Sequence, residues 1–419
     1  MTTRDLKALE IAATRTVTFR DGVWHVPAQS EEGSYKVRFG KEGASCTCDD
    51  WGLHFGSCKH ILAARIVADR EGGKTPQSFD TDEVPKKPTY KQNWPAYRDA
   101  QHHEKRRFKV LLADLCKGVK ELPYKGGRPR TSIADVLFAV VYKVYSTLST
   151  GRFGSDLMDA QEQGFMSCRM HPNRVNACLE EPELTPILRD LIVQSSLPLK
   201  SVETTFATDS SGFSTSRFVR WYDEKYGIYK TRHHWIKAHI CCGVKTNIVT
   251  AVEIADRDAH DSPMFKTLIE ATATNFKVEE VVGDKAYLSN ENLELVERLG
   301  AIPFVPFKVN SGPGKPGSIW EKMFLYNNLR REEFLGHYHK RSNVESTFSM
   351  VKAKFRDHVR SKTSPAMENE VYAKFLCHNI CVVIQSQCEL GIDTHFWPPD
   401  PQPEPASRRN TPEEELCTL

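Results

Sequence analysis

The chain has 419 residues, 40% of them hydrophobic and 26% charged, with a formal net charge of +3. That length predicts two or three domains with real cores. No run of eighteen apolar residues exists to cross a bilayer, and the N-terminal stretch MTTRDLKALEIAATR lacks the apolar heart of a secretory signal. Charge is uneven along the chain. Residues 101–130 carry nine lysines and arginines against three acidic residues, residues 340–362 seven against two, and residues 389–419 two against seven. Basic stretches on a near-neutral chain fit local contact with a polyanion.

From the N-terminus, TRTVTFRDGVWHV and SYKVRFG read as short strands joined through a Gly-containing turn. Cys46, Cys48, Cys58 and His60 follow as C-x-C-x9-C-x-H, leading into a helix that starts near Lys59. Three thiolates and one imidazole complete a tetrahedral zinc site with no open position, so the ion is structural rather than catalytic. A module this small has little core, and the metal supplies much of its folding energy. The pattern resembles the SWIM zinc finger, whose members are associated with DNA or protein binding. Twelve cysteines in this setting point to a reducing compartment. His54 lies nearby but falls outside the ligand pattern.

Residues 71–100 are rich in proline and charge and read as a linker. Residues 101–198 read as mainly helical. They hold a basic helix near 101–120, a bend at Gly127-Arg128-Pro129, and helices at 133–147, 155–163 and 183–195. Ser132 and Asp135 are spaced as a capping box. Ile133, Val136, Leu137, Val140, Val141 and Val144 give the helix at 133–147 a buried face. Gln161, Cys168, His171 and Cys178 have no ligand spacing.

The next segment alternates strands and helices. ETTFATDSSGF is a short strand ending at Asp209, and WIKAHICCGVKTNIVTAVEI is a hairpin of strands near 236–244 and 248–255. Asp261, Ser262 and Pro263 start a helix whose inner face is Phe265, Leu268, Ile269, Thr272 and Phe276. An apolar strand at 278–282 delivers Asp284, Ser289 caps a helix running to Gly300, and AIPFVPF is a fifth strand. Cys241 and Cys242 read as strand core. Asp256, Asp258 and Asp261 are rival carboxylates, Asp261 being a helix cap. Last comes YHKRSNVESTFSMVK. At 100° per residue, Tyr338, Arg341, Glu345 and Lys352 fall on one narrow stripe beside an apolar stripe of Val344, Phe348, Val351 and Phe355. Arg341 and Glu345 are also an i,i+4 pair of the kind that decorates solvated helices.

The spacing Y-x2-R-x3-E-x6-K resembles the signature of insertion-sequence DDE transposases, and TDSSGF and VVGDKAY resemble the two aspartate motifs of that group. The resemblance covers roughly 125–390. It implies an α/β, RNase H-like catalytic core at 199–390 after a helical DNA-end-binding region at 101–198; the finger occupies 1–70, and the Pro-rich, acidic composition of 391–419 reads as a disordered tail. The resemblance implies Asp209, Asp284 and Glu345 as catalytic residues. Three carboxylates brought together need a cation, and hard oxygen donors suit Mg2+ or Mn2+. Two such ions serve an in-line displacement at phosphorus. Tyr338, Arg341 and Lys352 are then DNA contacts, and the partners are double-stranded terminal inverted repeats and target DNA, engaged by a homodimer without a membrane. The expected location is cytoplasmic and nucleoid-associated in a prokaryote. Two other functions share these features: an RNase H-like nuclease that never joins, and a catalytically silent, transposase-derived DNA-binding regulator.

Overall fold

The computed structural model describes residues 3–29, 33–40, 43–48, 50–51, 58–71, 93–123, 126, 130–215, 235–255 and 261–397. The expectations for His54, Gly127–Pro129, Asp256 and Asp258 lie outside these residues, as do most of the linker and the tail beyond Trp397. Contacts divide the chain into two compact units, Met1–Lys91 and Gln92–Leu419.

In the first unit, helix α1 (Thr3–Thr14) precedes an antiparallel sheet of β1 (Thr18–Arg20), β2 (Val23–Pro27), β3 (Ser34–Gly40) and β4 (Gly43–Cys46), and α2 (Lys59–Glu71) follows. The β1–β2 hairpin turns at Asp21-Gly22, both at positive φ, the turn hand that suits twisted strands. Trp24, Val37 and Cys46 stand opposite one another across three strands and are buried. Helix α1 is absent from the sequence reading. Its Ala8, Ile11 and Ala12, at i, i+3 and i+4, are buried where α1 packs on α2.

The second unit begins with six helices: α3 (Trp94–His102), α4 (Glu104–Lys117), α5 (Ile133–Ser146), α6 (Thr150–Glu162), α7 (Pro172–Leu179) and α8 (Leu184–Ser196). Helix α5 buries its expected face and also Phe138, Ala139 and Tyr142. Its capping box is half formed. The Ser132 hydroxyl accepts from the Asp135 amide at 3.2 Å, but the Asp135 carboxylate turns away to accept from the Ser167 and Cys168 amides. The Glu121 carboxylate takes the next amide along, that of Ile133.

A five-stranded sheet follows, built from β5 (Thr205–Ser214), β6 (Trp235–Gly243), β7 (Val249–Ala255), β8 (Glu280–Gly283) and β9 (Ile302–Phe304), in the order β7-β6-β5-β8-β9. The first three strands are antiparallel, and β8 and β9 add in parallel beside β5. Helices α9 (Asp261–Asn275) and α10 (Asn290–Arg298) connect them. This mixed sheet with its helices is the expected α/β, RNase H-like core. At the β6–β7 turn the buried Glu203 carboxylate accepts from the Lys245 and Thr246 amides. A Cβ at Gly243 would fall 2.3 Å from that carboxyl carbon, which explains the glycine. Helices α11 (Ile319–Leu329), α12 (Arg331–Tyr338) and α13 (Ser342–Phe355) come next, then α14 (Ser364–Leu390).

Helix α14 is buried along most of its 27 residues and packs on α3, α4, α5, α7 and α8 as well as on the sheet. Its buried amides serve backbone at both. Asn379 accepts from the Val249 amide at 2.9 Å and donates to the Val249 and Ile192 carbonyls. Asn369 donates to the Leu179 and Glu181 carbonyls. Beyond α14, Phe396 is buried and the Trp397 indole donates to the Leu115 carbonyl, so the start of the expected tail is docked on α4.

Candidate active site

The finger cluster assembles from two places. Strand β4 and its extension deliver Cys46 and Cys48, and the start of α2 delivers Cys58 and His60. The Thr47 amide and hydroxyl both bond the Lys36 backbone, fixing the two flanking cysteines against β3. All four donors are buried, and their ligand atoms lie within 4.8 Å of one another. The His60 ring stacks on Tyr35 at 4.3 Å. Cys46 holds the Cys58 thiol well below its ordinary value, with His60 and the Ile61 amide assisting. Its partner Cys46 is pushed up in turn, and burial raises Cys48. Among the described residues, buried His60 Nε2 has no hydrogen-bond partner. Soft donors at this spacing fit zinc.

The carboxylates are placed by the sheet. Strand β5 does not end at Asp209 as the sequence reading expects, but runs five residues further, with Asp209 opposite Ile240. Serine and glycine are poor strand formers alone. Here β6 supplies partners as far as Ser214↔Trp235. In the parallel pair, Thr208 stands opposite Gly283, so Asp209 and Asp284 each come one step later, Asp209 on β5 and Asp284 just past the end of β8. Asp284 Oδ1 accepts from the Lys285 amide at 2.6 Å. Glu345 comes from α13, which lies on β5 and β6 through Val344, Phe348, Val351 and Phe355, all buried as expected.

Arg341 joins the set. Its Nη1 donates to Asp209 Oδ2 at 2.9 Å, and its Nη2 donates to Glu345 Oε1. Burial is the main force raising the Asp209 carboxyl, and the charges of Asp284 and Glu345 add to it. The Ser210 amide and Arg341 oppose that rise. Burial works against the Arg341 charge, but Tyr338, Asp209, Glu345 and Asp284 outweigh it and hold the guanidinium above its usual value. Among the described residues, the finger cluster alone gathers three or more such donors within 4.8 Å. Asp209, Asp284 and Glu345 share one electrostatic neighbourhood at wider spacing, with the guanidinium bridging two of them. Their donors are hard oxygens, the type that Mg2+ or Mn2+ requires.

The stripe of Tyr338, Arg341, Glu345 and Lys352 does not lie on one helix. Helix α12 ends at Tyr338, His339–Arg341 form a 3-10 turn, and α13 begins at Ser342. The 3-10 turn advances by 120° rather than 100° per residue. Arg341, at its end, reaches Asp209 on β5. Tyr338 is buried, which pushes its phenol up. Lys352 Nζ donates to Ser211 Oγ at 2.7 Å and sits 5.3 Å from the Phe213 ring. Burial lowers its ammonium. Asp209, Ser211 and Phe213 alternate along one face of β5. Ser211 and Phe213 fall within the TDSSGF motif, but the sequence assigns them no role of their own; only their position two and four residues past Asp209 marks them. Among the described residues, Cys168 and His171 are not gathered with other donors, and His171 instead caps α7 by accepting from the Asn173 amide.

Two family models match this chain. Residues 200–380 match a transposase DDE domain, and residues 33–66 match the SWIM zinc finger. The first span holds all five strands of the larger sheet and all three carboxylates; the second holds the four soft donors. No curated protein matches the chain. No helix among the described residues is long and apolar enough to cross a membrane.

Proposed function

We propose that this chain, which carries a transposase DDE domain and a SWIM zinc finger, is a DNA transposase that cleaves element ends and joins the freed 3′-OH to target DNA. The observation that carries this reading is the Thr208↔Gly283 register, which sets Asp209 beside Asp284 on the face covered by the Glu345 helix. Asp209, Asp284 and Glu345 are the residues that would hold Mg2+ or Mn2+. When bound, such ions supply activation of an attacking oxygen and stabilisation of the leaving one.

The chain's own residues do the rest. Arg341 has two N–H groups aimed at carboxylate oxygens, a fork that also fits a phosphate. It balances the acidic cluster and is placed to hold a phosphate beside it. Lys352, anchored at Ser211, holds the strand further along β5. Tyr338 closes the near end of the same row. The finger holds its fold with structural zinc, and two copies of the chain act on paired inverted repeats.

Purified chain is incubated with terminal inverted repeats and Mg2+ or Mn2+, and cleavage and joining are scored. Asp209→Asn, Asp284→Asn and Glu345→Gln should each reduce strand cleavage by at least about a thousandfold, the loss of several kcal/mol of transition-state stabilisation, with end binding retained. Cleavage that persists in any one removes that residue from the mechanism. Joining of pre-nicked ends by the wild-type chain separates a transposase from a nuclease.

A further inference from the structure

A cavity of about 320 Å3 opens at the end of α13 away from Glu345. It is walled by α5, α7, the last turn of α13, the segment after it and the start of α14. Five cations line it (Lys143, Arg356, Arg360, Lys362 and Lys374) against Glu180 and Glu370. Glu370 is saturated, since it accepts from the Arg360 and Ser361 amides and the Ser361 hydroxyl, and pairs with Lys374 at 3.6 Å. The cations are positioned largely by neutral oxygen. Lys143 donates to the Leu148 carbonyl at 2.8 Å, Arg356 to Thr147, and Arg360 to both. Such bonds fix the donors in place without cancelling their charge. Burial, with the charge of Arg360, pushes the Lys143 ammonium down to about 8. Val144, Leu179 and Phe355 supply an apolar side to the same cavity.

The cavity continues the row that begins at the carboxylates. Lys374 approaches the Phe213 ring at 5.3 Å, as Lys352 does. Ser214, at the end of β5, bonds the backbone of Asp357 and Val359. From Glu345 to Arg356 is eleven residues, or about 16 Å at the helical rise. One DNA strand carries a phosphate about every 3.4 Å of axis, so the interval spans about five nucleotides.

We propose that this cavity is a second DNA subsite, which takes one backbone phosphate against its cations and the attached sugar against its apolar side, about five nucleotides from the bond held at the carboxylates. The inference rests on the transposase reading, and its test is binding rather than cleavage.

The full chain, without added Mg2+ or Mn2+, is titrated with a fluorescent random-sequence duplex over a range of KCl concentrations. Arg360→Gln/Lys362→Gln should weaken binding about tenfold and reduce the slope of log K against log [KCl] by about one, the loss of one phosphate contact. Lys266→Gln, an exposed change on α9, should do neither. Lys362→Gln alone, an exposed side chain, repeats the measurement should the double variant melt lower. An unchanged slope in variants that fold normally overturns the proposal. So does stabilisation of the chain by inorganic phosphate, read as a raised melting temperature, that vanishes in the variant while the duplex slope stays put, because the cavity would then serve free phosphate. A wild-type chain that binds no duplex at all sinks the transposase reading itself.

Discussion

The two acidic or thiol-bearing clusters of this chain are built on opposite plans. In the finger, four donors within fifteen consecutive residues meet at ligand distance. In the second unit, Asp209, Asp284 and Glu345 come from three separate elements, and a guanidinium stands between two of them. Local spacing builds the first cluster, and the core behind it is small. Packing of a helix on a sheet builds the second, and the carboxylates are guests of that packing. The finger should therefore depend on its ion, and the larger unit on its apolar contacts.

Four changes test that contrast. The largest effect is expected from Cys58→Ser or from chelation of zinc. Structural zinc contributes on the order of 10 kcal/mol to such modules, so residues 1–71 should lose hydrogen-exchange protection while the melting of residues 92–419 holds steady. If the finger stays protected without metal, the contrast collapses. Next is Phe348→Ala, which empties a contact between α13 and the buried Phe375 on α14. It should cost about 3–5 kcal/mol, seen as a lower melting temperature for the larger unit with zinc content unchanged.

How much of this was legible in the sequence follows the same division. The ligand spacing Cys46-x-Cys48-x9-Cys58-x-His60 is short-range and readable as it stands. The apolar faces of α5, α9 and α13 were equally plain, because burial imposes a helical period. The 3-10 turn at His339–Arg341 was not, since a wheel drawn at 100° per residue assumes an unbroken helix. The extra length of β5 was hidden because Ser210, Ser211 and Gly212 become strand only when β6 pairs with them. Helix α14 carried a usable signal that went unread: Pro365 in its first turn, Gly391 in the left-handed conformation at its end, and neither residue type between. Polar Asn369, Lys374, His378 and Asn379 disguised its burial, because their partners are backbone groups far away in sequence.

His378 gives the third test. Burial holds its imidazole down to about 4, and its Nε2 bonds the Asn247 carbonyl at 2.9 Å. The folded chain therefore keeps the ring neutral while the unfolded chain protonates as pH falls through about 6.5. Stability is full above 6.5, declines between 6.5 and 4, and has lost up to about 3 kcal/mol below that. Urea melts from pH 7 to pH 4 should show this slope for the larger unit, and His378→Gln should flatten it. The smallest effect is expected from Arg341→Gln. The pair with Glu345, 55% exposed, is screened, while the pair with Asp209 joins two side chains only 21% exposed, so stability should fall by about 1–2 kcal/mol. Losing the guanidinium should move the Asp209 carboxyl still further up, readable by carbon NMR titration. A downward move would mean that the bridge does not restrain that charge.

The 27-residue helix α14 has a consequence for dissection. It is a common wall, with Asn369 pinned to α7 and Asn379 to both α8 and β7. A fragment spanning 199–390 would bare the whole side that α3, α4, α5, α7 and α8 now cover, and a fragment ending at 198 would bare the matching surface. Neither half can be transplanted into a chimera alone. A minimal folded fragment should start before Trp94 and extend through Trp397.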